Sequence, residues 1–191
     1  MGSSALKLKD FYSLFGERLL GSSAPDLYEL QRELQHLPGF PHGRPGPGGG
    51  ADATHEAVTM ILVATLAGGP RRQTQLTTPA TLALPTWTDE PTARPVACGL
   101  TSAKIFGYAI LAILRDAGLA ARVRQVIVCR DWGEAAIAWE VDGGIRESVF
   151  KDAEGNRRSE AADRDGTLCG LARIGGAALL EIARDLHGAR G

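Results

Sequence analysis

Between Leu37 and Gly50 the chain reads LPGFPHGRPGPGGG, with four prolines and six glycines. Proline lacks the backbone N–H and fixes φ, and glycine loses much entropy on ordering, so this stretch is neither helix nor central strand. The apolar pattern must therefore be packed into separate runs on either side of it. Before it, Leu8, Phe11, Phe15 and Leu19 recur at helical spacing with Leu14 beside them, which predicts an amphipathic helix from about Leu6 to Leu20, ended by Gly21. Ser23 then reads as a cap, Pro25 suits a first helical turn, and Asp26 complements the positive helix end. Leu27, Leu30, Leu34 and Leu37 form one stripe, so a second helix is expected from about Ala24 to Leu37, stopped by Pro38 and Gly39. After the Gly/Pro segment, Asp52, Thr54 and Glu56 mark a helix start. Val58, Ile61, Leu62, Thr65 and Leu66 make a strongly apolar third helix, closed by Gly68, Gly69 and Pro70.

A length of 191 residues suits one medium domain or two small ones. The pattern suggests two: a helical domain over 1–70 and an α+β domain over 98–191. The stretch 71–97, with four prolines around Leu82, Leu84 and Trp87, reads as a linker with room for one edge strand. In the second half, Thr101 to Leu114 predicts a buried helix ending near Gly118. The period then changes. Val123 to Arg130, Ala136 to Val141 and Ile145 to Phe150 alternate as strands, with a turn at Asp142, Gly143 and Gly144. The polar run from Lys151 to Gly166 reads as a loop. Leu171, Ile174, Ala178, Leu179, Ile182 and Leu186 predict a last helix from Leu168 to Leu186. The fold class expected is α+β, with a three-stranded antiparallel meander packed against two helices in the C-terminal part.

Composition narrows the function. The longest apolar stretch, Ala57 to Ala67, falls well short of the roughly 20 residues that span a bilayer. No basic segment followed by an apolar one opens the chain, position six is not the Ser or Thr of a myristoylation signal, and three cysteines make no disulfide framework. A cytoplasmic protein without membrane contact is expected. The formal net charge is −1, and through Arg72 the basic residues (Lys7, Lys9, Arg18, Arg32, Arg44, Arg71, Arg72) are matched by acidic ones. That balance argues against a nonspecific, histone-like binder, though a sequence-specific dimer needs only a few local cations. The excess of arginine over lysine, 17 to 4, reads first as a coding bias.

Helix, short turn, helix, Gly/Pro ribbon, helix over about Phe11 to Leu66 resembles the order in MerR-like and excisionase-like winged helix-turn-helix domains. Leu37 and Pro38 match that family's turn, Gly39 to Gly50 its wing, and Thr54, His55 and Glu56 its resumed helix; the wing arginine falls on Arg44. The segment Gly39 to Ala67 is also similar to a module of uncharacterised phage-related and gene-transfer-related proteins. The resemblance implies double-stranded DNA as partner, a phage-type transcriptional regulator, and a homodimer whose C-terminal domain dimerises or contacts a regulatory protein or RNA polymerase. Gln31, Arg32 and Gln35 would read bases, Lys7 and Lys9 would form an arm that reaches a groove, and His42, Arg44, Arg71 and Arg72 would lie against the phosphate backbone. The sequence departs from that family in its single wing arginine and in Glu29 and Glu33, which would repel phosphate. A protein-interaction adaptor without nucleic-acid contact, docking through the third and last helices, is the alternative reading.

Catalytic chemistry is not expected. No P-loop, GxGxxG, HExxH or GxSxG pattern occurs, and no cofactor is implied. Cys98 and Cys169 each precede a predicted helix, where a thiol can be activated, but His187 is the one histidine base in that half. Small half-buried cysteines are the simpler reading, with Cys129 in a strand core. His36, His42 and His55 match no zinc-ligand spacing, so no metal is expected. Asp131, Trp132 and Glu134 read as a turn between strands rather than an acid–base pair.

Overall fold

The computed structural model of the chain describes residues 6–43, 50–87, 96–131, 133–158 and 170–188. Helix α1 (Leu8–Phe15) buries Leu8, Phe11, Tyr12 and Phe15, and runs into a wider π-helical turn, Gly16–Leu20. There Ser22 N–H donates to the Gly16 carbonyl at 3.1 Å, closing the segment. Helix α2 (Ala24–Leu34) starts as its sequence predicts: the Ser23 side chain accepts from Asp26 N–H, and proline occupies the first turn. It ends a turn earlier than expected. Helix α3 (His55–Ala67) is capped by the Thr54 hydroxyl, which accepts from Ala57 N–H. Its apolar residues point in every direction, and Ala57, Val58, Ile61, Leu62 and Val63 are all fully buried. A helix apolar all round must be enclosed. Helices α2, α4 (Thr74–Leu82) and α5 (Phe106–Arg115) and strands β1 (Val123–Cys129) and β4 (Leu171–Gly175) enclose it.

The segment expected to be a linker thus contains a helix. Thr74, Thr78 and Thr81 of α4 are buried, and the threonine hydroxyls of 77 and 81 bond back to carbonyls four residues earlier. Threonine and proline weaken helix propensity, which concealed this element; packing against α3 and α5 overrides it. Beyond α4 the chain makes isolated antiparallel bridges, Pro85 to Ile105 and Thr86 to Phe150. The buried helix expected over Thr101 to Gly118 is two helices, α5 and α6 (Ala117–Arg122). Asp116 breaks them, leaving the helical region at φ −138° and capping α6 by accepting from Gly118 and Leu119 N–H.

The sheet is antiparallel with four strands in the order β3-β2-β1-β4, not three. Strands β2 (Glu134–Val141) and β3 (Gly144–Lys151) meet at a turn with Asp142 and Gly143 at φ 48° and 76°, as the turn signal predicts. Part of the expected loop is a short helix, α7 (residues 153–158), anchored where Gly155 N–H donates to Asp152. The expected last helix is split into β4 and α8 (Gly176–Gly188). Leu171, Ile174 and Ala178 share helical spacing, but β4 is instead drawn into register with β1, Ile174 opposite Val126. Gly176 permits the switch to helix, because a Cβ there would collide with the Val123 carbonyl. The fold is therefore α+β. Helices α3 and α8 both lie against β1 and β4.

Side chains from 1–70 and from 98–191 enter one continuous buried cluster, running from Leu8 through α3 to Leu186. Surface ties follow the same seam. Arg18 makes two bonds to Glu181, at 2.9 and 2.5 Å, and Arg130 Nε donates to the Leu66 carbonyl at 3.0 Å, filling one vacant acceptor at the C-terminus of α3. A shared core predicts one cooperative unfolding transition. All three tryptophans, at 87, 132 and 139, lie beyond residue 70, so their emission should report the same melting midpoint as far-ultraviolet circular dichroism, which follows every helix. Ile61→Ala should destabilise both signals together by about 2–5 kcal/mol. Two separated transitions would show that the halves fold independently.

Candidate functional site

Of the residues expected to face a duplex, the described ones lie at α1, α2, the roots of the Gly/Pro ribbon and the turn Arg71–Gln73. Lys7 forms an antiparallel bridge with Asp52, and its amino group lies 2.7 Å from the Asp52 carboxylate. Leu8 N–H to the Ala51 carbonyl and Ala53 N–H to the Leu6 carbonyl extend this seam. The ribbon's two ends come together: a Cβ on Gly43 would be 2.9 Å from Ala51 N. Arg44 lies outside the described residues. His42 and Lys9 are exposed. On α2, Gln31 accepts from the Tyr12 hydroxyl at 3.0 Å, and burial, with Tyr28 alongside, pushes the Tyr12 phenol well above its ordinary range. Arg32 pairs with Glu29 at 3.0 Å, and Gln35 is half-buried at the helix end, its N–H donating to the Gln31 carbonyl. Arg71 is brought to the first turn of α2, 3.9 Å from Asp26, with Arg72 exposed beside it.

The structure thus gathers Gln31, Arg32, Gln35 and Arg71 around α2 and sets Lys7 at the foot of the ribbon. It also hands Lys7, Arg32 and Arg71 a carboxylate each. Such surface pairs contribute little stability. They do cancel local potential, and phosphate binding draws most of its free energy from that potential. Glu33, the remaining acid of α2, accepts from the Gln75 amide at 2.9 Å.

Of the cysteines and histidine raised for catalysis, Cys98, Cys129 and His187 fall among the described residues. Cys98 is 1% exposed, and its backbone is tied into a tight turn by Ser102 and Ala103. Cys129 is buried in β1, as expected, and Cys169 and Trp132 lie outside the described residues. The His187 ring packs 5.3 Å from that of His55. Among the described residues no three His, Cys, Asp or Glu side chains converge as for a metal, and no helix is long and apolar enough to cross a membrane.

An apolar concave feature lies elsewhere, assembled from residues distant in the sequence. A groove of about 370 Å³ opens between α3, α4 and α5, closed at one side by Leu37 and Pro38 beyond α2. Met60 lines it from α3, Pro79 from α4 and Ala83 from just past its end, Tyr108 and Leu111 from α5, and Leu37 from beyond α2. Gly107 lets α5 begin directly against the end of α4, since a Cβ there would sit 2.9 Å from Leu82 Cδ2 and 3.0 Å from its carbonyl oxygen. The floor offers little polarity: Thr59 spends its hydroxyl on the His55 carbonyl at 2.8 Å. Two large apolar side chains stand out into solvent in these wall helices, Leu76 at 75% exposure and Tyr108 at 64%. Leu76, Pro79 and Ala83, spaced i, i+3 and i+7, form one ridge.

Glu56, at the groove, pairs with Arg115 of α5. Burial raises the Glu56 pKa, but bonds from its own backbone amide, from Arg115 and from Thr54 outweigh this and hold the carboxyl below its usual range. Comparison of the chain with protein-family models, with characterised proteins and with solved structures finds no match.

Because the Glu56 pKa is lower folded than unfolded, its contribution to stability is complete above the ordinary carboxylate range. It is lost as pH falls through the folded value. Carbon-detected titration of the side-chain carboxyl should therefore place Glu56 below the ordinary glutamate range. Arg115→Ala should move it upward and flatten the acid limb of the stability profile. An unchanged Glu56 titration in that variant would show that Arg115 does not hold it.

Proposed function

We propose that the protein is a non-enzymatic interaction module that docks an apolar segment of a protein partner in the groove between α3, α4 and α5. One observation carries the reading: an apolar trough whose walls project Leu76 and Tyr108 into water. Monomeric proteins rarely leave large apolar side chains beside a concave apolar surface unless something covers them. An open trough between helices suits a segment that inserts side chains at helical spacing, the helix-in-groove mode of recognition. Tyrosine offers a rigid apolar body with a polar tip, and aromatic anchors of this kind dominate interface energetics. Met60 supplies an adaptable wall.

A second reading rests on its own observation. Helix α1, a turn over residues 21–23 and α2 follow one another as in helix-turn-helix units, with Arg71 at the start of α2. On that reading Gln31, Arg32 and Gln35 contact bases of double-stranded DNA, Lys7 and Lys9 reach into a groove, His42, Arg44, Arg71 and Arg72 contact phosphates, and the protein is a regulator of phage type. The carboxylates facing Lys7, Arg32 and Arg71 favour the docking reading over this one.

Selection from a random peptide library on the intact chain tests the first reading. Enriched peptides should carry bulky apolar residues at helical spacing. Tyr108→Arg and Ala83→Arg should each weaken them by at least about tenfold, which corresponds to about 1.4 kcal/mol. Peptides that bind both variants as well as the parent would refute docking in the groove. A shift assay with random genomic fragments at low salt tests the second: retention that collapses with added salt and with Arg32→Ala or Arg71→Ala would favour DNA.

A further inference from the structure

We infer that α4 is a gate: it lifts out of the fold from its N-terminal end while the rest of the chain stays folded, and so opens the groove. The opening needs no partner, because it follows from how α4 is built. Its inward face carries hydroxyls, with Thr74, Thr78 and Thr81 buried, while Leu76 stands in water. Buried threonine returns far less hydrophobic gain than the Val, Ile and Leu side chains that fix α3. The Thr78 hydroxyl is fully buried and has no hydrogen-bond partner among the described residues, so lifting the helix lets water satisfy it. Pro79 has no N–H for the Gln75 carbonyl, and no side chain caps the helix start. Four threonines and a proline among nine residues add weak helix propensity.

The two ends of α4 are held differently. Before it, Gly68 and Gly69 sit at φ 62° and 90°, where glycine moves freely, and the short turn Arg71–Gln73 buries nothing. Dihedral changes in a few such residues are how hinges work. The polar ties on this side are surface ones: Arg71 lies 3.9 Å from Asp26, and the Gln75 amide donates to Glu33 at 2.9 Å. Exposed pairs of this kind hold weakly. After the helix, Leu84 is buried and its carbonyl accepts from Phe106 N–H at 2.9 Å, and Thr86 N–H donates to the Lys104 carbonyl at 2.9 Å. The C-terminal end is therefore pinned and the N-terminal end has slack. Pro79 lines the groove opposite Thr59 and Met60 of α3, so lifting α4 deepens it there. A ligand reaching beyond the present depth binds only the open form, and its affinity scales with that form's population.

Native-state hydrogen exchange on the intact chain, followed by mass spectrometry over a series of sub-denaturing urea concentrations, reads this opening. Amides of α4 should exchange at least about a hundredfold faster than those of α3 and α5, with a weaker dependence on urea, because a local opening exposes little surface. Thr78→Val keeps the side-chain shape, removes the buried hydroxyl and should slow α4 by about tenfold, with circular dichroism unchanged. Exchange of α4 as slow as that of α3, with the same urea dependence, would show that it opens only when the whole chain unfolds and would overturn the inference. An α4 rate unchanged by Thr78→Val would overturn it equally.

Discussion

The enclosure of α3 organises everything else in this molecule. Thirteen residues, His55 to Ala67, form a helix with no polar stripe to turn toward water. Burying one Val, Leu or Ile side chain contributes roughly 1.5–3 kcal/mol, and a domain's net stability is only about 5–15 kcal/mol. Leaving any one side of α3 bare would therefore cost a large part of the whole. The helix recruits covers from both ends of the chain: α2 from before the Gly/Pro ribbon, α4 and α5 from after it, and β1 and β4 from the sheet. Arg130 adds a polar tie at its C-terminus, reaching the Leu66 and Thr65 carbonyls from the end of β1. The groove follows from the same arrangement, since it lies where α4 and α5 part over Met60 and Thr59.

Elements whose signals are local were legible. Ser23 and Thr54 cap the helices they precede, and Asp142 with Gly143 turns the hairpin, because each works through bonds or dihedrals within a few residues. Elements decided by distant partners were not. Residues 171–175 share a helical stripe with α8, and only the open edge of β1 makes them a strand. Helix α4 is poor in strong helix formers and holds Pro79 in its interior, yet its buried threonines find α3 and α5. The break at Asp116 needed knowledge that its carboxylate would accept from Gly118 and Leu119 rather than face solvent.

The candidate site was less legible than the fold, for the same reason on a larger scale. The groove is assembled from residues as far apart as Leu37 and Leu111. A local trace existed: Leu76, Pro79 and Ala83 make an apolar ridge, but only once that stretch is recognised as helix. The cations around α2 illustrate the converse. The pairing of Glu29 with Arg32 is readable from i, i+3 spacing, whereas that of Lys7 with Asp52 depends on the ribbon returning its far end to the start of α1. A charge count could show that acids and bases balance, but not that the balance is struck residue by residue.

The fold divides labour between its two faces. Strands β1 and β4 hold α3 from one side and contribute nothing to the groove's lining, while α4 and α5, which form its walls, are held against the same helix. An apolar recess between helices tends to close by side-chain collapse unless its walls are fixed. Here α5 is fixed by Gly107 against the end of α4, by Arg115 against Glu56, and by α8 packed along it. A rigid wall lowers the ordering cost that association must otherwise meet. On the docking reading the sheet would act through α3 and α8, as the support that keeps the recess open and its projecting side chains in place.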